Sequence, residues 1–318
     1  MPTKTPEVIP SLTQETKPPL VEFYLTRLRG SQAHLLYSLL PEQITSLVKW
    51  FILDYTSKII YGRGDMPLTV AVETFSACNY HCSYCPIDQE IFKQSRAAVA
   101  MSDELFGKIV GELATLPNTR TGQTGFRGPF FLTGYGEPLL DKNLPAKVAL
   151  VRKQLPQARV GFFSNGSLLS TKTYQELKEA GIQQIIITLH GDRFPDATKE
   201  VLATFGDQKI IKINPPLTRF NNRGGMIPVT QNQLAAPVYR CVSPTYGLVV
   251  ASDGNIALCC NDASLQQPQG NLGTSNLLDI WFAPDYVKLR NALRHGHWQE
   301  LPKLCTLCRT PTDYSFSG

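Results

Sequence analysis

The sequence has no long apolar run that is free of charged residues, which argues against a membrane-spanning segment. The most apolar stretch, ITSLVKWFILDYTSKIIYG, contains Lys49, Asp54 and Lys58 at spacings typical of an amphipathic helix. The first residues, MPTKTPEVIPSLTQETKPP, lack the apolar core of a secretory signal. We therefore expect a soluble, cytoplasmic protein that does not bind membranes.

Runs of like charge and internal repeats are also missing. The 318 residues include 31 basic and 26 acidic side chains, a net charge of +5 that is scattered along the chain. Nucleic-acid binding needs basic residues clustered on one face. The composition therefore excludes nucleic acid as an expected partner and indicates a globular protein with a large core.

Thiols are the most informative feature that is present. In the cytoplasm cysteines stay reduced, so the eight cysteines favour metal binding over disulfides. The stretch SACNYHCSYCPID places Cys78, Cys82 and Cys85 after an apolar run, with no fourth thiol nearby. Three thiols leave a metal site open, whereas a closed zinc site takes four ligands. A zinc site completed by His81 or by a distant ligand remains the alternative.

Apolar runs and amphipathic segments alternate from residue 67 onwards, as in LTVAVET followed by DELFGKIVGELATL. This alternation predicts βα units that form a parallel sheet or barrel. We expect a disordered lead over residues 1–19, a helical N-terminal extension over 20–66, the βα region over 67–237 and a different C-terminal domain over 238–318. In that last region, YGLVVASDGNIALCC predicts a hairpin around Asp253 and Gly254.

The C-x3-C-x2-C array, with an aromatic residue, Tyr84, before its last cysteine, resembles the signature of the radical S-adenosylmethionine (AdoMet) enzymes. In that family three thiolates hold a [4Fe-4S] cluster, and the fourth iron is left for the amino and carboxylate groups of AdoMet. The resemblance implies an α/β fold, a partial (β/α)6 TIM-like barrel, with Cys78, Cys82 and Cys85 as the cluster ligands.

Two later segments strengthen this resemblance. TGYGEPLL is similar to the glycine-rich region of the family, which implies that Gly134 and Gly136 admit the cofactor and that Glu137 binds the AdoMet ammonium group. FFSNGSLL is similar to the place where Ser164 and Asn165 would bind the ribose or the carboxylate. Both segments follow predicted strands, where ligands of such barrels bind.

Weaker expectations concern polar residues elsewhere. His190, after IIITLHG, is predicted at the barrel mouth near AdoMet, and Arg219 or Arg223 is a candidate for an anionic group of AdoMet or substrate. Asp253 and Asp262 are candidates for a general base, although the turn alone explains Asp253. A polar or charged turn without function is the alternative for each of them.

The tail resembles the shortened auxiliary-cluster domain, SPASM or twitch, of the same superfamily. This implies one auxiliary [4Fe-4S] cluster, and a zinc knuckle is the alternative. Its four implied ligands are Cys241, Cys259, Cys305 and Cys308. The remaining thiol, Cys260, is expected to be buried and structural.

The resemblance leaves the substrate open. Base rates among enzymes with such tails favour a ribosomally made precursor peptide, with crosslinking, epimerisation or backbone excision. A single auxiliary cluster instead fits a dehydrogenase of a small alcohol or aminocyclitol. Our sequence-based preference is the peptide, with a small leader-recognition protein and a flavodoxin- or ferredoxin-type electron donor as partners. A non-catalytic iron-sulfur or zinc scaffold is the third hypothesis.

Overall fold

A computed structural model describes residues 42–117, 122, 124–191, 194–216, 221–227 and 240–309. The expected disordered lead, the first half of the helical extension and Arg219 lie outside these residues. Ten α-helices are described: α1 (Glu42–Tyr61), α2 (Glu90–Ser95), α3 (Asp103–Ala114), α4 (Leu144–Gln154), α5 (Thr171–Glu179), α6 (Asp196–Phe205), α7 (Ser243–Tyr246), α8 (Leu277–Trp281), α9 (Pro284–His295) and α10 (Lys303–Leu307).

Seven strands form one sheet in the described part of the chain, in the order β5-β4-β3-β2-β1-β6-β7. They are β1 (Thr69–Val72), β2 (Pro129–Phe131), β3 (Arg159–Ser164), β4 (Gln184–Thr188), β5 (Ile211–Asn214), β6 (Gly247–Val250) and β7 (Ile256–Ala257). The pairs from β5 through to β6 are all parallel, and only β7 runs antiparallel, against β6. The expected α/β class is therefore confirmed.

Sequence signals fix several of the helix ends. Ser102 and Ser170 cap α3 and α5, since each side chain accepts a hydrogen bond from a backbone amide of the first turn. After α5, Gly181 takes a positive φ of 88°, which ends the helix and turns the chain towards β4. These local signals set the short connections that stack the βα units side by side.

The predicted hairpin does not stand apart from the βα region. Asp253 and Gly254 do form its turn, with Gly254 at φ 86°, but β6 pairs in parallel with β1 and so extends the main sheet. Local turn chemistry predicts the antiparallel partner of β6, whereas its parallel partner lies about 180 residues away in the chain. The carboxyl ends of six parallel strands thus share one edge.

Helix α1 buries one face against the core. Its buried apolar side chains are Trp50, Leu53 and Tyr61. Exposed apolar side chains recur at helical spacing on the opposite side: Ile44, Leu47, Phe51, Tyr55 and Ile59. Aromatic residues thus anchor the helix to the core. No helix in the described residues is both long enough and apolar enough to cross a membrane.

Candidate active site

A cavity of about 260 Å³ lies at the carboxyl ends of the parallel strands. Its wall includes every described residue that the sequence predicted for AdoMet binding, and four of the seven predicted cluster cysteines line it as well. The predicted residues in its wall are Cys78, Cys82, Tyr84, Cys85, Gly134, Gly136, Glu137, Ser164, Asn165, His190, Arg223 and Cys259. Strand ends therefore bring together segments that are far apart in the sequence.

The first thiol set, defined as Cys78, Cys82 and Cys85, lies on the loop that follows β1. The amide of Tyr80 donates to Sγ of Cys78 at 3.4 Å, and the amide of Cys85 donates to the carbonyl of Cys82 at 2.8 Å. Burial raises the pKa of all three thiols. Without a cation the thiols therefore stay protonated, and binding of iron would release their protons.

Gly136 is required by close contact with this loop. A Cβ at this position would lie 1.9 Å from the carbonyl oxygen of Phe75 and 2.9 Å from that of Ala77. Both are backbone atoms, so the contact cannot be relieved by a side-chain rotation. The next residue, Glu137, donates its amide to the Ala77 carbonyl at 2.8 Å. The glycine-rich loop after β2 is thus fixed against the cysteine loop.

Replacing Gly136 by alanine is expected to displace the cysteine loop, reduce the iron content to about half and abolish AdoMet cleavage. Gly111 on α3 is the matched control, because a Cβ there meets no atom within 4 Å. Gly111→Ala should raise the free energy of unfolding by about 0.5–1 kcal/mol. Iron analysis and release of 5'-deoxyadenosine provide the measurements. Normal iron and activity in Gly136→Ala would show that this contact does not shape the site.

Glu137 joins the ends of β2 and β3. Its Oε1 accepts from the Ser164 hydroxyl at 2.8 Å and from the Leu139 amide at 3.1 Å, while Oε2 accepts from the Asn165 amide at 2.9 Å. Burial raises the pKa of this carboxyl group. Each carboxylate oxygen has two acceptor sites, so Oε2 keeps one for a further donor. The predicted contact with the AdoMet ammonium is therefore compatible with this network.

Asn165 extends the network to the first thiol set. Its Nδ2 donates to Oδ1 of Asn79 at 3.0 Å and lies 3.9 Å from Sγ of Cys78. Its Oδ1 accepts from the amide and the hydroxyl of Ser167. The turn after β3 is therefore held beside the cysteine loop.

Tyr84 and His190 meet on the wall of the cavity. The Tyr84 hydroxyl and Nδ1 of His190 are 2.5 Å apart, and the ring of Tyr80 packs against the same imidazole. Burial lowers the pKa of His190 and so favours the neutral ring, in which one nitrogen donates and the other accepts hydrogen bonds. The contact links the cysteine loop to the end of β4.

The sequence did not point to a buried ion pair between Glu73 and Arg96. The Glu73 carboxylate pairs with the Arg96 guanidinium, and the two side chains are 3% and 5% exposed. It also accepts from the amides of Tyr135, at 2.9 Å, and Ser252, at 3.2 Å. A Cβ on Gly134 would lie 2.5 Å from Glu73, which explains that glycine. In the sequence, the signal for this ion pair was the charged Glu73 of ETFSA, which directly follows a buried strand.

Glu73→Gln is expected to lower the free energy of unfolding by about 3–5 kcal/mol, because the Arg96 charge would stay buried without a counter-ion. The control is Glu176→Gln, which breaks the exposed pair between Lys172 and Glu176 and should change stability little. Anaerobic denaturant titration of both variants is the measurement. Equal stability of the two variants would contradict a stabilising role for the buried pair.

The second thiol set, defined as Cys241, Cys259, Cys305 and Cys308, comes together from the whole C-terminal region. Burial raises the pKa of Cys241 to about 11 and that of Cys305 to about 12. Repulsion between neighbouring thiolates of the set raises their pKa further. Asn261 contacts two of them, with its amide 3.4 Å from Sγ of Cys259 and its Nδ2 3.3 Å from Sγ of Cys308.

The expectation that Cys260 is a buried structural thiol is wrong, because this residue is exposed. Cys259 takes the buried side of the turn after β7, and its neighbour is left on the wall of the central cavity. The carbonyl oxygen of Cys260 accepts a hydrogen bond from the Tyr135 hydroxyl. This thiol therefore lies between the two thiol sets.

Arg223 lies at the border between the two thiol sets. Its guanidinium stands over the Tyr135 ring, 5.5 Å from the centroid, and its Nη1 is 3.4 Å from Oδ1 of Asn261. Its charge acts on Cys85 and Cys260. Its backbone has a φ of 48°, and its amide donates to Oδ1 of Asn221 at 2.7 Å. The arginine thus presents a positive charge to the cavity.

The two aspartates considered as a general base each accept several hydrogen bonds. Asp253 accepts from the amide and side chain of Asn255 and so builds the hairpin turn. Asp262 lines the cavity but accepts from the amides of Leu258, Gln266 and Gln267. Both carboxylates therefore order backbone turns.

The donor chemistry of both thiol sets fits iron-sulfur clusters. The described residues include no three His, Cys, Asp or Glu side chains that converge on one metal ion. Each thiolate of a [4Fe-4S] cluster binds a different iron, so its ligands stand farther apart than those of a single zinc ion. The separation of the thiols is therefore compatible with iron-sulfur clusters at both sets.

Comparison with known families defines the class of protein. The model of the Radical SAM superfamily matches residues 72–204, and that of an iron-sulfur cluster-binding domain, SPASM, matches residues 241–309. The S-adenosyl-L-methionine-dependent 2-deoxy-scyllo-inosamine dehydrogenase of Niallia circulans is 30% identical over 242 residues, which are 75% of this chain and 91% of that enzyme. The chain belongs to the radical SAM superfamily and has a C-terminal SPASM domain.

A solved structure and a second curated relative agree with this assignment. The crystal structure of BtrN in complex with AdoMet and 2-DOIA is similar with a TM-score of 0.65 and 27% identity, covering 79% of this chain and 96% of that chain. GTP 3',8-cyclase of Paenarthrobacter nicotinovorans is 30% identical over 156 residues, 48% of this chain and 40% of that enzyme. The protein is therefore an enzyme that uses AdoMet and two [4Fe-4S] clusters and needs a reductant.

Proposed function

We propose that this enzyme is a radical dehydrogenase that oxidises a secondary alcohol of a small polyol or aminocyclitol to a ketone. The observation that carries the proposal is the 30% identity to a 2-deoxy-scyllo-inosamine dehydrogenase over 91% of its length. This reverses our sequence-based preference for a precursor peptide and favours the alternative. Because a small substrate has no leader, a leader-recognition partner is not part of the proposal.

The overall reaction removes two hydrogens from a carbinol. The carbon loses one hydrogen atom and then one electron, and the hydroxyl loses a proton, which leaves the ketone. When bound, AdoMet with the first cluster supplies the 5'-deoxyadenosyl radical that takes the hydrogen atom, and the second cluster takes the electron. A flavodoxin- or ferredoxin-type protein is the proposed electron donor.

The two thiol sets are assigned accordingly. We assign Cys78, Cys82 and Cys85 to the AdoMet-binding cluster. The auxiliary cluster would be held by Cys241, Cys259, Cys305 and Cys308. The barrel domain is proposed for residues 67–237 and the auxiliary domain for 238–318, although β6 of the second region pairs with β1 of the first.

The cavity wall divides into two sides with different chemistry. Glu137, Ser164 and Asn165 form one side with the first thiol set and are proposed to hold AdoMet, with Tyr84 and His190 beside them. On the other side, Arg223 lines the cavity, and Asn261 holds it next to the second thiol set. The guanidinium there can donate hydrogen bonds to substrate hydroxyl oxygens, which would orient the carbinol towards both clusters.

The proposal is tested with reconstituted enzyme, AdoMet and a chemical reductant under anaerobic conditions. We expect ketone formation from 2-deoxy-scyllo-inosamine or a related cyclic amino alcohol or polyol, with one 5'-deoxyadenosine released per ketone. A matched incubation omits AdoMet and should give no ketone. Release of 5'-deoxyadenosine with no oxidised alcohol across the panel, together with modification of a precursor peptide, would contradict the proposal.

A further inference from the structure

A second, smaller cleft lies at the other edge of the sheet. Arg63 and Asp65 precede β1, whereas the cysteine cavity follows the carboxyl ends of the strands. The remaining wall comes from Trp50 on α1, Phe282 and helix α9. The cleft measures about 80 Å³. That volume admits a small ion with a few waters, but not a drug-sized ligand, whose pockets span roughly 300–1,000 Å³.

Positive charge dominates this cleft. The guanidinium groups of Arg63, Arg290 and Arg294 line it, against the single carboxylate of Asp65. No ion pair within 4.0 Å joins Asp65 to these arginines, and they have no other acidic partner among the described residues. The local excess is therefore two positive charges.

Arg290 has a buried hydrogen-bond donor without a partner among the described residues. It is only 4% exposed, and its Nη2 donates to the carbonyl of Trp281 at 2.5 Å, yet its Nη1 has no hydrogen-bond partner in the described residues. Its guanidinium lies over the rings of Trp281 and Tyr286, with 4.7 Å and 4.5 Å to the centroids. Aromatic faces attract a cation but do not satisfy its N–H donors.

A second donor in the same wall is also unpartnered. Trp50 is 3% exposed, and its indole Nε1 has no hydrogen-bond partner in the part of the chain that is described. Arg294 stacks over this indole ring at 5.3 Å and Arg63 over Phe282 at 4.0 Å, so both guanidinium groups are held in place. Buried donors without an acceptor are rare in folded proteins.

We propose that this cleft binds a small tetrahedral oxyanion, either free phosphate or the phosphoryl group of a small metabolite. Arginine forks pair with phosphate oxygens through two parallel hydrogen bonds. Bound there, the anion bridges α1 and the segment before β1 to α9. It thus joins the N-terminal helix to the C-terminal region without touching the cysteine cavity.

The test is equilibrium dialysis of the cluster-loaded full chain with radiolabelled inorganic phosphate at fixed ionic strength. We expect one phosphate per chain. Arg294→Gln and Arg63→Gln should each bind phosphate at least about tenfold more weakly than the wild type, because each loses a charge-assisted contact. The matched control is Arg159→Gln, an exposed arginine at the start of β3, which should bind as the wild type does.

Two further arms locate the site and identify the source of the anion. Saturating AdoMet should leave phosphate binding unchanged, since the cleft is separate from the cavity. Competition by glycerol phosphate would show that a phosphoryl group is accepted, and its failure to compete would show that only the free ion fits; either result supports the proposal. The proposal would be overturned by the absence of saturable phosphate binding or by displacement of phosphate by AdoMet. Equal phosphate binding by the Arg294→Gln, Arg63→Gln and Arg159→Gln variants would also overturn it.

Discussion

Replacing Cys78, Cys82 and Cys85 together by alanine is expected to abolish AdoMet cleavage and to leave about half of the iron. The wild-type chain should hold about eight iron and eight sulfide, from two [4Fe-4S] clusters. The triple variant loses the ligands on the loop after β1 but keeps the second thiol set, which has its own contacts through Asn261. Iron and sulfide analysis, with chromatography of 5'-deoxyadenosine, provides the measurement.

The chain offers a matched control for this experiment. Cys260 lies on the wall of the same cavity but belongs to neither thiol set. Cys260→Ala should therefore keep about eight iron and full AdoMet cleavage. If the triple variant still releases 5'-deoxyadenosine, the assignment of the first set is wrong. If Cys260→Ala loses a cluster, the division of the cysteines into these two sets is wrong.

Replacing Cys305 and Cys308 by serine is expected to separate the two halves of the reaction. About four iron should remain, and AdoMet cleavage should continue, because the first thiol set and the Glu137 network lie outside this pair. Ketone formation should stop, since the electron lost by the substrate carbon would have no acceptor. The measured quantity is the ratio of ketone to 5'-deoxyadenosine, which should fall from about one to near zero.

A structural effect of this change must be distinguished from a redox effect. The α10 segment packs against the turn that contains Arg223, where a Cβ on Gly224 would lie 2.0 Å from Leu304. Thr306→Ser, on the same helix and outside the thiol set, is the control and should keep both activities. Full ketone formation in the cysteine variant would rule out the auxiliary cluster as electron acceptor. Loss of AdoMet cleavage together with the ketone would contradict the proposed separation of roles.

Local signals in the sequence predicted much of the fold. The serine caps of α3 and α5, the turn at Gly254 and the alternation of strands with helices each depend on neighbouring residues only. The motifs that follow β2 and β3 were predicted at strand ends, and parallel pairing brings those ends to one edge. The resemblance to the AdoMet enzymes named the residues, and the alternation of strands and helices placed their segments at the edge where the cavity lies.

The features that the sequence did not predict depend on distant contacts. Strand β6 joins the edge of β1. The Ser252 amide, after β6, and the Tyr135 amide, after β2, share the Glu73 carboxylate with Arg96. No local period reveals such a pairing. The exposure of Cys260 depends on which side of one turn faces the cavity. The cysteine count of the tail favoured a small alcohol and family base rates favoured a peptide; our sequence-based preference followed the base rates, whereas the present proposal agrees with the cysteine count.

The most direct test of the account is deuterium transfer from the substrate carbinol. Anaerobic enzyme would receive AdoMet, reductant and 2-deoxy-scyllo-inosamine, or the best alcohol of the panel, with deuterium at the carbon to be oxidised. The account predicts one deuterium in each 5'-deoxyadenosine and an equal amount of ketone, with neither product in the variant that lacks Cys78, Cys82 and Cys85. Ketone formed with unlabelled 5'-deoxyadenosine, or formed by that variant, would contradict radical dehydrogenation at this site.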